Sequence, residues 1–382
     1  MKHLRIWALA VVLAAAAMTA AAQTVVINGK TVKLPVLMKG SAIYVDAAAL
    51  AKALGAGVTL DTAKKRLVIV TAGAAQQSVA GTGQLPGGWG EFGKEYTLGE
   101  GSSRMNIAVK SAEFTGSRVY VGDRTFYPKA DEKLMVIRYT IHNPQASDMS
   151  ASWSTFGFTA VDATDQNREY SQWVGAETNS QKLDMYLKPG QKVEAYTYIV
   201  VPAAGEIPKL IVLGSGKSVL RFDLRGKVKP LPAPFADPGD ATGSTALAKV
   251  PAQMGVWYPT GGFDFRLDSA QFTAGPIRES TPNEGKRFLV LNASIRNKMR
   301  SSESLGWSRY SLKLATSEGN AAWNQWLLQS GRDEGVSKYL DPDEETKGRY
   351  YFEIYSNETP QTLTVQEAGD CRPLVYDLSG VK

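Results

Sequence analysis

The stretches SASWSTFGFTA, residues 150–160, and SLGWSRYSLKL, residues 304–314, are two versions of one pattern. In each stretch Trp-Ser is followed two residues later by an aromatic residue, and after two more residues by an apolar one. Trp153 of the first stretch corresponds to Trp307 of the second. A pattern that occurs twice in one chain predicts either a duplicated structural unit or a repeated ligand contact.

Five further blocks recur in the same order at a nearly constant offset, which predicts a duplicated domain. The paired blocks are 109–116 with 267–275, 133–143 with 287–297, SQWV around Trp173 with NQWL around Trp326, Tyr196, Tyr198 and Val200 with Tyr350, Phe352 and Ile354, and 220–224 with 374–378.

Residues 133–143 and 287–297 indicate the secondary structure of the repeat. Their apolar and polar residues alternate with a period of two, which is typical of a strand with one buried face. The apolar sets are Met135, Ile137, Tyr139 and Ile141, and Leu289, Leu291, Ala293 and Ile295. Several short strands separated by turns predict a mainly β protein with two tandem antiparallel immunoglobulin-like β-sandwiches. In that fold we expect Trp153 and Trp307 to pack inside the cores. A shared ligand-stacking role is the alternative.

The late turn of the first repeat, LKPGQ at 187–191, precedes a long aromatic strand. With this turn and strand the repeat resembles the telokin-like, immunoglobulin-like domains of unknown function from exported bacterial proteins. The second repeat has LDPDEE at 340–345 instead. The resemblance implies a fold and export, and it brings no catalytic residues.

A smaller module precedes the repeats. TVVINGKTVKL, residues 24–34, alternates like a strand and places Asn28-Gly29 at a tight hairpin turn. Asp46 can cap a helix that ends at Gly55, and the strands VTLD and RLVIV follow. The predicted order is ββαββ.

Over residues 24–71 this order resembles the copper amine oxidase N-terminal-like domain, a stalk module of exported bacterial proteins. In true amine oxidases the copper ligands and the tyrosine-derived cofactor belong to a separate catalytic domain. The resemblance therefore implies a stalk or docking module without oxidase activity.

The beginning of the chain has the three parts of a secretory signal peptide. Lys2 and Arg5 form a positive start, an apolar stretch runs from Ile6 to Met18, and Ala20-Ala21-Ala22 forms the cleavage motif. We therefore expect cleavage after Ala22 and an exported mature chain with no transmembrane segment.

The predicted organisation is a signal peptide at 1–22, the small module at 23–72, a linker at 73–100, the first sandwich at 101–225, a Pro/Gly-rich linker at 226–255 that loosens towards its end, and the second sandwich at 256–382.

Positive charge is concentrated in the small module, which carries seven basic residues against Asp46 and Asp61. These seven form the predicted envelope-docking patch: Lys30, Lys33, Lys39, Lys52, Lys64, Lys65 and Arg66. A local patch can attract anionic envelope polymers, but it lacks the broad basic face with interleaved aromatic residues that binds nucleic acid.

Few residues suit catalysis. After the signal peptide the chain contains a single histidine, His142, and a single cysteine, Cys371. Metal sites rich in histidine need several histidines, and a catalytic triad needs its histidine beside a nucleophile and an acidic residue, which the sequence around His142 does not indicate. The sequence therefore predicts no catalytic, cofactor-binding or metal-binding residue, and no enzyme. The acidic turn from Asp341 to Glu345 could offer oxygen atoms to calcium, although a solvated turn is the simpler interpretation.

These observations predict an exported, non-catalytic protein of the bacterial cell envelope with a structural or protein-interaction role. Its expected partner is an envelope protein or an anionic envelope polymer. One alternative is a copper-dependent redox accessory protein that uses methionine and cysteine. Another is a glycan-binding module that uses the surface aromatic residues Trp89, Trp257 and Trp323.

Overall fold

The computed structural model describes five backbone strands between residues 22 and 71, and then residues 88–382 apart from 217, 320, 324 and 325. Side chains are described from Trp89 onward, except at 321–323. The chain divides into two compact units, residues 1–82 and 83–382.

The first unit contains two antiparallel sheets. Its strands are β1 (Ala22–Ile27), β2 (Lys30–Lys39), β3 (Ala42–Val45), β4 (Ala56–Asp61) and β5 (Arg66–Thr71). β1, β2 and β3 are neighbours in that order, and β4 pairs with β5. Ile27 lies opposite Lys30, so two residues connect β1 and β2, as the predicted hairpin requires. β3 adds a strand to the predicted order, and the predicted helix from Asp46 to Gly55 lies outside the described residues.

The second unit begins with the first sandwich. Its strands are β6 (Gly88–Trp89), β7 (Tyr96–Leu98), β8 (Met105–Thr115), β9 (Val119–Val121), β10 (Arg124–Phe126), β11 (Glu132–His142), β12 (Met149–Ser152), β13 (Gly157–Val161), β14 (Asn167–Ala176), β15 (Asp184–Leu187), β16 (Lys192–Pro202), β17 (Lys209–Leu213) and β18 (Val219–Asp223). Nine strands are joined in the order β6-β18-β17-β13-β14-β16-β11-β8-β7. β14 pairs with β13 on one side and with β16 on the other, so it belongs to both layers.

The second sandwich repeats this plan. Its strands are β19 (Val250–Ala252), β20 (Tyr258–Pro259), β21 (Phe263–Thr273), β22 (Lys286–Asn297), β23 (Glu303–Leu305), β24 (Tyr310–Thr316), β25 (Ala321–Trp323), β26 (Leu328–Gln329), β27 (Lys338–Leu340), β28 (Glu345–Tyr355), β29 (Pro360–Glu367) and β30 (Leu374–Asp377). Here the counterpart of β14 is divided into β25 and β26, so the layers are two separate sheets, β19-β30-β29-β24-β25 and β20-β21-β22-β28-β26.

The duplication extends to a local irregularity. In the first sandwich the pairing of β8 with β11 shifts at Lys110, and in the second the pairing of β21 with β22 shifts at the equivalent Asp268. A β-bulge bends a strand and increases its twist. The same bulge at the same aligned position, together with the same strand order, confirms that the two halves share one fold.

The predicted apolar faces of β11 and β22 are in the cores. Met135, Ile137, Leu289 and Leu291 are fully buried. The opposite face is less polar than expected, because Leu134 and Val136 pack in a second small cluster with Val119 and Val121 of β9. The prediction of a single buried face is therefore incomplete for this strand.

The prediction that Trp153 and Trp307 pack inside the cores is wrong. Trp153 is 41% exposed and Trp307 is 64% exposed. Both follow a short strand and lie in equivalent turns, which are closed by backbone hydrogen bonds from Thr155 to Ser152 and from Arg309 to Gly306. The turn interrupts the alternation, so the indole rings leave the core.

The aromatic and apolar residues that follow each turn fill the cores instead. The buried residues of these stretches are Phe156, Phe158 and Ala160 in the first, and Tyr310, Leu312 and Leu314 in the second.

The segment after β18 packs against the first sandwich. Lys229 exchanges backbone hydrogen bonds with β8, and the side chains of Phe235 and Ala246 are buried. The ammonium group of Lys133, fully buried, donates to the carbonyl oxygens of Gly205 (2.6 Å), Ala203 and Ser244. The expectation that this linker becomes loose is wrong, because its later half is fixed by these contacts.

Buried polar contacts also join the two sandwiches within the second unit. Arg118 donates to the carbonyl oxygens of Gly261 and Phe263, each at 2.8 Å. From the other side, Arg372 donates to the carbonyl oxygens of Ala130 and Glu132. Hydrogen bonds to charged donors are stronger than neutral ones, so these contacts favour a fixed pairing of the sandwiches.

Candidate functional site

His142, at the end of β11, is engaged with its neighbours. Its Nδ1 lies 2.9 Å from Glu95 Oε1 and 3.2 Å from Asn106 Nδ2. The hydrogen bond from His142, assisted by Lys192 and Asn106, lowers the pKa of Glu95 to about 2. This cluster ties β11 to the segment before β7, and it has the geometry of an ion-pair network.

Cys371 is buried, and its thiol group lies 3.4 Å from the carbonyl oxygen of Ala368. Burial, aided by the charges of Glu367 and Asp370, raises the pKa of Cys371 to about 12. Since the thiolate is the reactive form of cysteine, this environment suits a packed thiol rather than a nucleophile.

The side chains described from Trp89 onward contain no group of three or more His, Cys, Asp or Glu residues arranged to hold a metal ion. The acidic turn is occupied by local partners. Asp341 accepts a hydrogen bond from Ser302, and Glu344 and Glu345 pair with Lys338 and Arg296. This arrangement is that of a turn fixed by ion pairs.

The three predicted surface tryptophans have different surroundings. Trp89 is exposed on β6. Trp257 is half-buried, and the guanidinium groups of Arg266 and Arg296 lie 4.6 and 4.4 Å from its ring centre. Trp323 is on β25 opposite Lys313, and its side chain lies outside the described part. The Trp257 ring is therefore already in contact with two cations.

Four residues of the predicted basic patch are on described strands, namely Lys30, Lys33, Lys39 and Arg66. Lys30 and Lys39 begin and end β2, and Arg66 begins β5. Lys52, Lys64 and Lys65 lie outside the described residues. The docking role of this patch stays a prediction.

A duplicated pair of exposed aromatic residues was missed by the sequence reasoning. Tyr186 lies opposite Ser150 in the β12–β15 pair, and Tyr339 lies opposite Ser304 in the β23–β27 pair. Tyr186 is 71% exposed and Tyr339 is 74% exposed. Trp153 and Trp307 follow β12 and β23, so each sandwich has one exposed Tyr and one exposed Trp at equivalent positions. The recurrence of Trp153 as Trp307 was an available signal, and it was assigned to packing, whereas the recurrence of Tyr186 as Tyr339 was not considered.

A groove of about 360 Å³ adjoins Trp307 in the second sandwich. Its lining includes Ser308, Ser311, Gln366 and Asp370. Ser311 lies opposite Gln366 in the β24–β29 pair. A flat exposed indole beside hydroxyl, amide and carboxylate groups can stack on a ligand and also hydrogen-bond to it.

The first sandwich has different residues at the equivalent positions. The pair that corresponds to Ser311 and Gln366 is Gly157 and Leu213. Leu213 is exposed, so the surface after Trp153 is more apolar. The aromatic residues are thus repeated, but the polar lining of the groove is specific to the second sandwich.

A larger cleft of about 430 Å³ lies elsewhere on the second sandwich. Its basic lining residues are Arg332, Lys338 and Lys347. All three are exposed, and Lys338 pairs with Glu344 at 3.2 Å. Water-exposed cations interact weakly with single anions, so this cleft is a poorer candidate than the groove beside Trp307.

Comparisons with known proteins leave the family open. The model of one protein family, described as DIM protein, matches residues 1–33. No curated protein matches the chain. Among the residues that the structure describes, no helix has the length and apolar character needed to span a membrane.

Solved structures similar to parts of the chain include three bacterial proteins. An uncharacterised β-sandwich protein from Clostridium difficile is 15% identical, covers 34% of this chain and 94% of its own, and has a TM-score of 0.27. The secreted protein MPT63 from Mycobacterium tuberculosis is 12% identical, covers 34% of this chain and 97% of its own, and has a TM-score of 0.27. The YjhA protein from Bacillus subtilis is 18% identical, covers 35% of this chain and 99% of its own, and has a TM-score of 0.23. The fold described above rests on the strand pairing of this chain.

Proposed function

We propose that the protein is an exported, non-catalytic binding protein of the bacterial cell envelope. It holds an envelope component through the exposed aromatic residues of its two sandwiches, and its basic module adds electrostatic attraction. The observation that carries the proposal is the duplicated pair of exposed residues, Trp153 with Tyr186 and Trp307 with Tyr339.

Exposed tryptophan and tyrosine residues favour binding because they offer a large contact area with little conformational entropy to lose. Trp and Tyr are enriched among the residues that dominate binding energies at protein surfaces. A solvent-facing Tyr at the same strand position of both sandwiches has no packing role in either core. Two copies on one chain also permit bivalent attachment, which raises the overall affinity without new contacts.

The contacts between the sandwiches support this role. Arg118 and Arg372 join the two halves from opposite sides through buried hydrogen bonds. Surfaces on two connected bodies lose less entropy on binding when the bodies are already fixed to each other. The pair of sandwiches is therefore suited to present both aromatic surfaces together.

The surroundings of His142 and Cys371 support a non-catalytic role. His142 is engaged by Glu95 and Asn106, and the thiol of Cys371 is buried with a raised pKa. Among the described residues, the His142 ring is bonded to Glu95 and Asn106 but to no Ser, Thr or Cys side chain, and the Cys371 thiol is bonded to a backbone carbonyl oxygen instead of a base. Neither group therefore belongs to the nucleophile–base pair that covalent catalysis requires. Export is inferred from the signal-peptide pattern at the beginning of the sequence.

The test is retention of the purified mature protein on isolated bacterial envelopes, with two sets of substitutions in the full chain. One variant replaces Tyr186 and Tyr339 by Ser, and the other replaces Lys30, Lys33 and Lys39 by Gln. At 0.5 M salt, where charge attraction is largely screened, we expect the aromatic variant to lose about tenfold or more in retention, and the basic variant to behave like the wild type. If the aromatic variant is retained as strongly as the wild type at high salt, the proposal is wrong.

A further inference from the structure

We propose that the groove beside Trp307 binds an uncharged carbohydrate chain. This inference rests on the proposed binding function and names the ligand of the second sandwich. It assigns the ring of Trp307 as a platform for a sugar ring, with Ser308, Ser311, Gln366 and Asp370 as hydrogen-bond partners for the hydroxyl groups.

The first step is the availability of the indole ring. Trp257 and Trp326 each stack on a guanidinium group, from Arg266 and Arg296 in one case and from Arg278 in the other. In the described part of the chain Trp307 has no such ring or cation contact, and it is 64% exposed. A pyranose ring has an apolar face of C–H groups, and a bare aromatic ring can cover this face and remove both surfaces from water.

The second step is the polar lining. Gln366 donates from Nε2 to the carbonyl oxygen of Cys371 at 2.8 Å, which fixes its amide and leaves Oε1 as an acceptor. Within the described residues, the side chains of Ser308, Ser311 and Asp370 form no hydrogen bond. Sugar hydroxyl groups both donate and accept, so they complement a carboxylate, an amide oxygen and two hydroxyl groups in one groove.

The third step is charge. Asp370 is exposed in the lining, whereas Glu367, also in the lining, is buried and lies 3.9 Å from Nη1 of Arg309. No Lys or Arg is among the residues that line this groove. An anionic polymer would bring its charges close to a carboxylate without a neutralising cation. The groove therefore favours an uncharged saccharide over the acidic polymers that a basic patch would attract.

The fourth step is the internal comparison. The first sandwich repeats the tryptophan but has Gly157 and Leu213 where the groove has Ser311 and Gln366. If stacking alone were sufficient, Trp153 would bind sugars equally well. Since hydrogen bonds fix the orientation of a ligand in its pocket, we expect the saccharide to prefer the second sandwich, and Trp153 supplies a matched control in the same chain.

The test is isothermal titration calorimetry of the full mature chain with cellohexaose and chitohexaose as uncharged probes, and with hexagalacturonate as the acidic probe. The variants are Trp307→Ala, Asp370→Asn and Trp153→Ala, each checked for an unchanged melting temperature. We expect at least one uncharged probe to bind the wild type. Trp307→Ala should weaken this binding about tenfold or more, Asp370→Asn by a smaller factor, and Trp153→Ala by less than about twofold.

Three outcomes would overturn the inference: no binding of either uncharged probe, equal binding by the wild type and Trp307→Ala, or binding of hexagalacturonate alone. Envelope retention measured on the same samples separates this inference from the proposed function. Wild-type protein that is retained on envelopes through Tyr186 and Tyr339 but binds no uncharged saccharide contradicts the carbohydrate ligand and leaves the binding function standing. Equal retention of the wild type and the variant with Tyr186 and Tyr339 replaced by Ser, at 0.5 M salt, contradicts the binding function itself.

Discussion

The guanidinium group of Arg118 in the first sandwich lies 2.7 Å from the carboxylate of Asp264 in the second, and both side chains are largely buried, at 6% and 15% exposure. The same guanidinium group also donates to the carbonyl oxygens of Gly261 and Phe263. One side chain of the first sandwich thus satisfies three acceptors at the start of β21. The duplicated halves are joined by a specific contact as well as by the connecting chain.

Replacement of Arg118 by Met should destabilise the second unit by about 3 kcal/mol, because it removes the donor of the largely buried Asp264 carboxylate and of the Gly261 carbonyl oxygen. The carbonyl oxygen of Phe263 keeps its hydrogen bonds from Thr260. The measurement is the free energy of unfolding from urea titration. Arg124→Met is the matched control, since Arg124 is mostly exposed and its contact with Asp123 spans 3.9 Å; this change should cost less than about 1 kcal/mol. Equal effects of the two substitutions would show that the Arg118 contact adds no specific stability.

Lys133 supports a second prediction, which concerns the segment at 226–249. Lys133→Met keeps an unbranched side chain of similar length but leaves the carbonyl oxygens of Gly205 and Ser244 without a donor. The carbonyl oxygen of Ala203 keeps its hydrogen bond from the backbone N–H of Ala246. Unsatisfied buried acceptors cost about 1–3 kcal/mol each, so we expect a loss of at least about 2 kcal/mol. We also expect faster proteolytic cleavage between residues 226 and 249, read by mass spectrometry.

The control for this experiment is Lys229→Met. Lys229 belongs to the same segment, and its exposed side chain lies 3.7 Å from Glu113, so its loss should leave the cleavage pattern unchanged. If Lys133→Met is cleaved no faster than the control, the hydrogen bonds of Lys133 to the backbone carbonyl oxygens do not hold the segment in place.

The β fold and its duplication could be predicted from the sequence because both leave local signals. Alternation in 133–143 and 287–297 identified the central strands, and the aligned blocks VKSA and LDSA carry the equivalent bulge residues Lys110 and Asp268. The period of a strand and the offset of a repeat are properties of neighbouring residues, so one sequence is sufficient to show them.

The candidate site could not be predicted in the same way. A recurrent tryptophan fits a core position and a surface position equally well, and the turn that moves Trp153 and Trp307 outward depends on backbone hydrogen bonds. The groove beside Trp307 joins residues 307–311 to residues 366–370, which only strand pairing brings together. The packing of the 226–249 segment likewise depends on long-range contacts, such as those of Lys133, that its Pro/Gly composition does not reveal.

The exposure of Trp153 and Trp307 leads to a third prediction, which contrasts surface and core positions of the same repeated stretch. Trp153→Ala and Trp307→Ala should each change the free energy of unfolding by less than about 1 kcal/mol. Phe158→Ala should cost about 3–5 kcal/mol, because this buried ring packs against Tyr139 with a centroid distance of 4.8 Å. A large loss of stability in either tryptophan variant would contradict the surface placement.

The last prediction concerns the acid range. The hydrogen bond from His142 is the main cause that lowers the pKa of Glu95 from 4.5 to about 2. Because this pKa is lower in the folded state than in the unfolded state, the ionised carboxylate stabilises the fold above about pH 4.5, and this contribution is lost as the pH falls towards 2. Glu95 is 35% exposed, so screening by water limits the effect to less than about 1 kcal/mol.

Unfolding titrations of the wild type and Glu95→Gln at pH 6, pH 4 and pH 2 measure this contribution. The stability difference should be greatest at pH 6, smaller at pH 4 and close to zero at pH 2, where the carboxylate of the wild type becomes protonated. Glu91→Gln, a change at an exposed neighbouring residue, should give no such dependence. A difference that stays constant from pH 6 to pH 2 would mean that Glu95 contributes through the shape of its side chain. In that case the electrostatic attraction of the Glu95 carboxylate to its neighbours would not contribute to stability.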